Sequence, residues 1–224
     1  MRVHIEKRGG GDPIVFLHGM GSSSGTWAAQ MAALEDRFTV VAWDLLGHGR
    51  SPVPADPRLY SRDGALDDLD EVLATLDGQP VLVGHSLGGY LSLAHAATRP
   101  GDVRGMVVMA TGPGFRDAEK RDAWNARSER NAHRFGVELQ VAGLNLQHDG
   151  LVMESLAGID VPTLALAGTE DAAPYSRSAA YLERKMPNAR FVEIVGGKHM
   201  MHEESHAAEI ANLITEFVAE LSSD

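Results

Sequence analysis

The chain contains no cysteine. That absence removes disulfide scaffolds, thiolate nucleophiles and cysteine-ligated zinc from consideration. Long apolar runs are missing too: none approaches the roughly 18 residues of a membrane span. The opening Met1-Arg2-Val3-His4-Ile5-Glu6-Lys7-Arg8 lacks the apolar core of a signal peptide. Positive charge is scarce, with 20 Lys plus Arg against 31 Asp plus Glu and a formal net charge of −11. Nucleic acids and anionic membranes select basic surfaces, so neither is expected as a partner. No repeat or low-complexity linker interrupts the chain. What remains is a globular protein of 224 residues, 44% hydrophobic, expected to be cytoplasmic and large enough to bury its own core.

Short apolar runs separated by glycine-rich turns predict strands. Val3 to Lys7 reads as an edge strand, and Pro13 to Leu17 and Thr39 to Trp43 as buried ones. Pro80 to Gly84, Val103 to Ala110, Val161 to Ala167 and Arg190 to Val195 follow. Helical spacing places Leu66, Leu69, Val72, Leu73 and Leu76 on one face. A second helix is predicted from about Leu87 to Thr98, stopped by Pro100, and a terminal one carries Ile210, Leu213, Ile214, Phe217, Val218 and Leu221. Fully apolar strands alternating with helices imply an α/β fold, a mostly parallel central sheet with helices on both faces.

One stretch breaks the rhythm. Residues 112–158 carry no strand signal and read as a short helical cap inserted between a first core part, 1–111, and a second, 159–224, of one domain. Phe115 to Phe135 is dense in charge, with Arg116, Lys120, Arg121, Arg127, Arg130 and Arg134 against Asp117, Glu119, Asp122 and Glu129. Trp124 and Phe135, eleven apart, are expected on one helical face toward the sheet. So small a cover is expected to leave the cleft beneath it open.

Gly84-His85-Ser86-Leu87-Gly88 fits G-x-S-x-G. It follows the apolar Val81-Leu82-Val83 and opens a helix, the strand-turn-helix setting that exposes a serine hydroxyl beside helix N-terminal N–H groups. A serine hydroxyl is a weak nucleophile and needs a base within hydrogen-bond reach, for which histidine, titrating near neutrality, is suited.

Four segments in order carry a family resemblance. They are Phe16-Leu17-His18-Gly19-Met20-Gly21, Asp44-Leu45-Leu46-Gly47-His48-Gly49-Arg50-Ser51, Gly84 to Gly89, and Gly168-Thr169-Glu170-Asp171 with Gly196 to Glu203. With them the chain resembles an α/β-hydrolase. The resemblance implies a nucleophile elbow at Ser86, an acid at Asp171 and a base at His199, in the family's order, and an oxyanion hole from the N–H groups of Met20 and Leu87. Glu170 and His202 are the rivals of the acid and the base. Lys198 stands where the family usually has glycine. His18, His48 and His85 are expected to brace loops, and Asp44 to order the turn after its strand. Trp27, Trp124 and Met200 are the candidate pocket residues. A metal site from His199, His202 and His206 lacks the H-E-x-x-H arrangement, so neither metal nor cofactor is expected.

The implied activity is a serine hydrolase, carboxylesterase-like, acting on a small-molecule acyl substrate: an ester, aryl ester or lactone. A lyase-like or C–C bond-cleaving enzyme with the same three residues is the alternative, followed by a receptor-like binder with slow turnover. A serine at position 86 disfavours the family's epoxide hydrolases and dehalogenases, which carry aspartate there. Oligomeric state is not legible.

Overall fold

The computed structural model describes residues 2–222. The sheet is built from β1 (Ile5–Arg8), β2 (Pro13–Leu17), β3 (Thr39–Trp43), β4 (Val81–His85), β5 (Gly105–Met109), β6 (Thr163–Gly168) and β7 (Ala189–Ile194). Their spatial order is β1-β3-β2-β4-β5-β6-β7. β1 runs antiparallel to β3, and the other pairings are parallel. The helices are α1 (Ala28–Leu34), α2 (Arg62–Leu73), α3 (Leu87–Thr98), α4 (Ala118–Asn131), α5 (Leu151–Ser155), α6 (Ala173–Lys185) and α7 (Ala207–Leu221). The fold is therefore α/β, a mostly parallel sheet with helices on both faces.

The unbroken apolar strands follow from burial on two sides. Val15, Leu17, Val41, Trp43 and Leu82 point to one face and pack with Leu66 and Leu69 of α2, Leu91 of α3 and Leu182 of α6. Ile14, Phe16, Val40, Ala42, Val81 and Val83 point to the other, against Met31 and Leu34 of α1 and Ile210, Ile214 and Phe217 of α7. Alternate residues thus fill alternate layers, and none needs to be polar. α1 and α6 are the core helices that periodicity does not reveal; α1 is only seven residues long, and α6 is weakly buried. α6 buries only Ala179 and Leu182, a stripe too narrow to stand out, although Pro174 in its first turn is a fitting start.

Residues 112–158 form α4, 3-10 turns at Ala132–Phe135 and Leu139–Asn145, and α5. Asp117 caps α4 by accepting from the Lys120 N–H, and the helix buries only Ser128. Most of its charge lies in solvent. Trp124 and Phe135 do not share a helical face, because α4 ends at Asn131 before Phe135 is reached. Arg62 Nη1 donates to Asp149 Oδ1 at 2.6 Å, tying the segment before α5 to the start of α2. Among the described residues no helix is long and apolar enough to cross a membrane.

Candidate active site

Parallel strands deliver their carboxyl ends to one edge, where ligands bind in open α/β sheets. Among the described residues only two non-glycine residues have positive φ, and both stand at this edge: Ser86 after β4 (φ 51°, ψ −111°) and Ala110 after β5 (φ 50°). Such backbone costs on the order of 1–3 kcal/mol and persists where the surroundings enforce it. At Ser86 the enforcement is close packing. A β-carbon on Gly84 would stand 2.5 Å from the Gly88 carbonyl oxygen, and one on Gly88 would overlap the Leu17 carbonyl. Glycine at both positions lets α3 start directly against β4 and β2. Thr111 Oγ1 donates to the Ser86 carbonyl at 2.7 Å and fixes the turn from the β5 side. The Ser86 hydroxyl itself makes no hydrogen bond among the described residues and does not cap α3.

The loops after β6 and β7 bring an acid and an imidazole together. His199 Nδ1 lies 3.0 Å from Asp171 Oδ2. A carboxylate only accepts, so Nδ1 carries a proton, and in the neutral ring Nε2 is the nitrogen with the lone pair. The Asp171 side chain is 4% exposed and that of His199 35%. The other carboxylate oxygen accepts from the Ala172 N–H at 2.6 Å, which fixes its rotation. The Gly196 N–H donates to Thr169 Oγ1, and Glu170 N–H to the Gly197 carbonyl, clamping one loop to the other. Glu170 is exposed, and among the described residues its carboxylate forms no hydrogen bond or ion pair with His199. Tyr175, in the first turn of α6, packs its ring 4.6 Å from that of His199. Sequence reasoning passed over Tyr175, since position alone does not announce a ring contact.

Met20 follows β2, and its N–H has no acceptor among the described residues. Leu87 stands first in α3, where an N–H has no intrahelical acceptor. A β-carbon on Gly19 would lie 3.2 Å from Ser86 Cβ, so the loop bearing Met20 packs directly on the elbow. The insertion reaches the same loop, with Phe135 seated on Gly21. Between them lies a tight crevice without room for a water molecule, lined by Met20, Ser128, Ala132, Phe135, Ala142 and Asn145. The insertion thus descends onto the loop that bears Met20.

One expected pocket residue is placed elsewhere. Trp27 is fully buried in the core, its ring 5.1 Å from Phe16 and 4.5 Å from His202, and cannot line a cleft. Trp124 works inside the insertion, donating from Nε1 to the Asn145 carbonyl at 2.9 Å and packing on Phe115. Met200 is half-buried next to His199 in the chain.

The buried histidines His18, His85 and His202 are held neutral. His18 donates from Nδ1 to the Gly19 carbonyl at 2.7 Å and accepts the Leu45 N–H on Nε2 at 3.0 Å, which uses both nitrogens and bridges the loops after β2 and β3. Burial, then the neighbouring His48, lowers it to about 4. His202 is fully buried in the turn before α7, not at its start, with Nε2 3.0 Å from Thr26 Oγ1. Burial, then His199, pushes it down to about 3. His85 is driven well below the ordinary histidine range, first by burial and then by His202 and His199. For Asp44 burial alone would raise the pKa, but N–H donors from Ser24 and Arg50 outweigh it and hold the carboxyl low. His206 Nε2 lies 3.0 Å from the Val195 carbonyl, and among the described residues no three potential ligands converge on a metal site.

The fold agrees with the comparison to known proteins. The family described as "alpha/beta hydrolase fold" matches residues 12–151, more than half of the chain. The chain belongs to the α/β-hydrolase family. It is similar to 2-(acetamidomethylene)succinate hydrolase of Mesorhizobium japonicum, 33% identical over 163 residues that cover 70% of this chain and 58% of that protein. It is also similar to pimeloyl-[acyl-carrier protein] methyl ester esterase of Shewanella woodyi, 32% identical over 166 residues, 74% of this chain and 59% of that one. The match therefore spans less than two thirds of either relative. Among solved structures, MenH from S. aureus superposes with a TM-score of 0.85 at 21% identity, covering 98% of this chain and 99% of that one. At that identity the likeness is one of fold.

Proposed function

We propose that the chain is a serine hydrolase that cleaves a small carboxylic ester, aryl ester or lactone through an acyl-enzyme. The observation that carries the reading is the strained, half-exposed Ser86 at the sheet edge that also holds the His199–Asp171 pair. In this reading His199 Nε2 takes the hydroxyl proton as Ser86 Oγ attacks the acyl carbon. Asp171 holds the tautomer and stabilises the imidazolium. The N–H groups of Met20 and Leu87 receive the developing oxyanion, each worth on the order of 3 kcal/mol in the transition state. His199 then returns the proton to the leaving alcohol, and water repeats the sequence to release the acid. The two curated relatives, one a hydrolase and the other a methyl ester esterase by name, support the reaction class.

The test is a chain-length series of p-nitrophenyl esters with stopped-flow detection of the acylation burst. The insertion over residues 112–158 is short, with α4 and α5 its only α-helices, and can bury little of an acyl chain, each buried methylene being worth about 0.8 kcal/mol. Acetate and butyrate are expected to give higher kcat/KM than decanoate and palmitate. A profile climbing steadily to long chains contradicts the open cleft under a small cover, and a folded protein that turns over no ester contradicts the reaction class.

The base is assigned by a second comparison. His199→Ala is expected to lower kcat by four or more orders of magnitude with the fold unchanged, as loss of the base does in such triads. His202→Ala empties a space between Trp27 and His85 and is expected to cost about 2–4 kcal/mol of stability, with a far smaller loss of turnover per folded molecule. Steady-state kinetics and thermal melts on both variants check this, and the reverse ranking of activities moves the base to His202.

A further inference from the structure

Accepting the proposed roles of Ser86 and His199, the structure leaves one buried polar group beside them without a task. His85 is the last residue of β4, adjacent to Ser86 in the chain, and its side chain runs under the loop after β7. Its Nε2 lies 2.9 Å from the backbone carbonyl of His199. A carbonyl only accepts, so Nε2 carries the proton, and Nδ1 is the bare nitrogen, buried and without a partner. The ring meets the His199 ring edge-on at 4.9 Å and an interplanar angle of 62°, and leans on His202 at 4.4 Å on another side. His199 is thereby held at Nδ1 by Asp171, on its ring by Tyr175 and on its backbone by His85. Of these three, only His85 is continuous with the nucleophile's own strand.

We propose that His85 is a positioning residue, a buried neutral imidazole whose Nε2–H ties the loop of the base to the elbow of the nucleophile and sets the reach from His199 Nε2 to Ser86 Oγ. A core-filling role would account for burial. It does not account for a donor spent on the carbonyl of this one residue, with the second nitrogen left unsatisfied at a cost. Displacement of a catalytic group by about 1 Å costs roughly 10²-fold in rate, and loss of the tie is expected to act at that scale without touching substrate binding.

Three proteins test it: wild type, His85→Phe, which keeps a ring and loses the donor, and His85→Gln, whose amide nitrogen reaches as far as Nε2. For each, kcat and KM for p-nitrophenyl acetate are measured per active site, together with the rate of fluorophosphonate labelling at Ser86 and the thermal midpoint. His85→Phe is expected to lower kcat 10- to 100-fold with KM within about twofold, and to slow labelling in parallel, because labelling needs the same base. His85→Gln is expected to recover kcat to within about fivefold of wild type. If His85→Phe does not fold, His85→Met supplies the donor-free comparison. A donor-free variant with kcat within threefold of wild type overturns the proposal, and so does a folded His85→Gln as impaired as the donor-free protein. A wild type that resists the probe overturns the serine-hydrolase reading itself, a result distinct from either.

Discussion

Ser86→Ala is expected to abolish ester turnover, lowering kcat by about 10⁴ to 10⁶, the loss typical when the nucleophile of such a triad is removed. The fold is expected to survive intact. The hydroxyl makes no hydrogen bond among the described residues, and alanine meets the same backbone strain at φ 51° as serine does. A thermal midpoint within about 2 °C of wild type, beside the collapse of activity, is therefore the expected pair of results. Turnover at a tenth of the wild-type rate in a folded Ser86→Ala protein contradicts the role given to this residue.

The second large effect is on stability and comes from the histidines that do no proton transfer. Their ordinary value is 6.5, and in the folded chain His18 sits at about 4, His202 at about 3 and His85 well below the usual range. Below about pH 6.5 the unfolded chain takes up protons that these folded groups refuse, so stability falls as the pH falls. It is complete above that value and is lost progressively toward the folded values. From pH 7 to pH 5 His18 or His202 alone costs about 2 kcal/mol and the two together about 4 kcal/mol, with His85 acting in the same direction. A typical domain has only about 5–15 kcal/mol in total. Asp44, held low by its N–H donors, adds to the loss only nearer pH 4, as its carboxyl begins to protonate. Urea unfolding at pH 7, 6 and 5 is expected to show the midpoint falling steeply at constant m-value. A stability that stays level between pH 7 and 5 contradicts the burial of these rings as neutral groups.

Much of the fold was legible because burial on both faces of a parallel sheet writes itself as continuous apolar runs. Pro13 to Leu17 and Thr39 to Trp43 are read at their observed bounds, and the helix from Leu87 to Thr98 likewise. α6 escaped because it buries too little to leave a stripe. The strain at Ser86 was legible through its flanking glycines, whose close contacts with Leu17 and with one another admit no side chain. The approach of His199 to Asp171 depends on two loops separated by a helix and a strand. Spacing does not carry it, and only the family resemblance named the pair. Aromatic residues were the least legible. Trp27 offered itself as a pocket wall, yet it fills the core against Phe16 and His202. Exposure of a large ring is decided by what packs on it, and that is a tertiary property.

The central claim is that Ser86 is an activated nucleophile. Reaction of the folded protein with a fluorophosphonate, followed by peptide mapping, tests it most directly. The account predicts a single stoichiometric adduct on the peptide containing Gly84 to Gly89, located on Ser86, forming orders of magnitude more slowly in His199→Ala. An adduct mapped to another serine, or a folded protein that remains unlabelled, contradicts it.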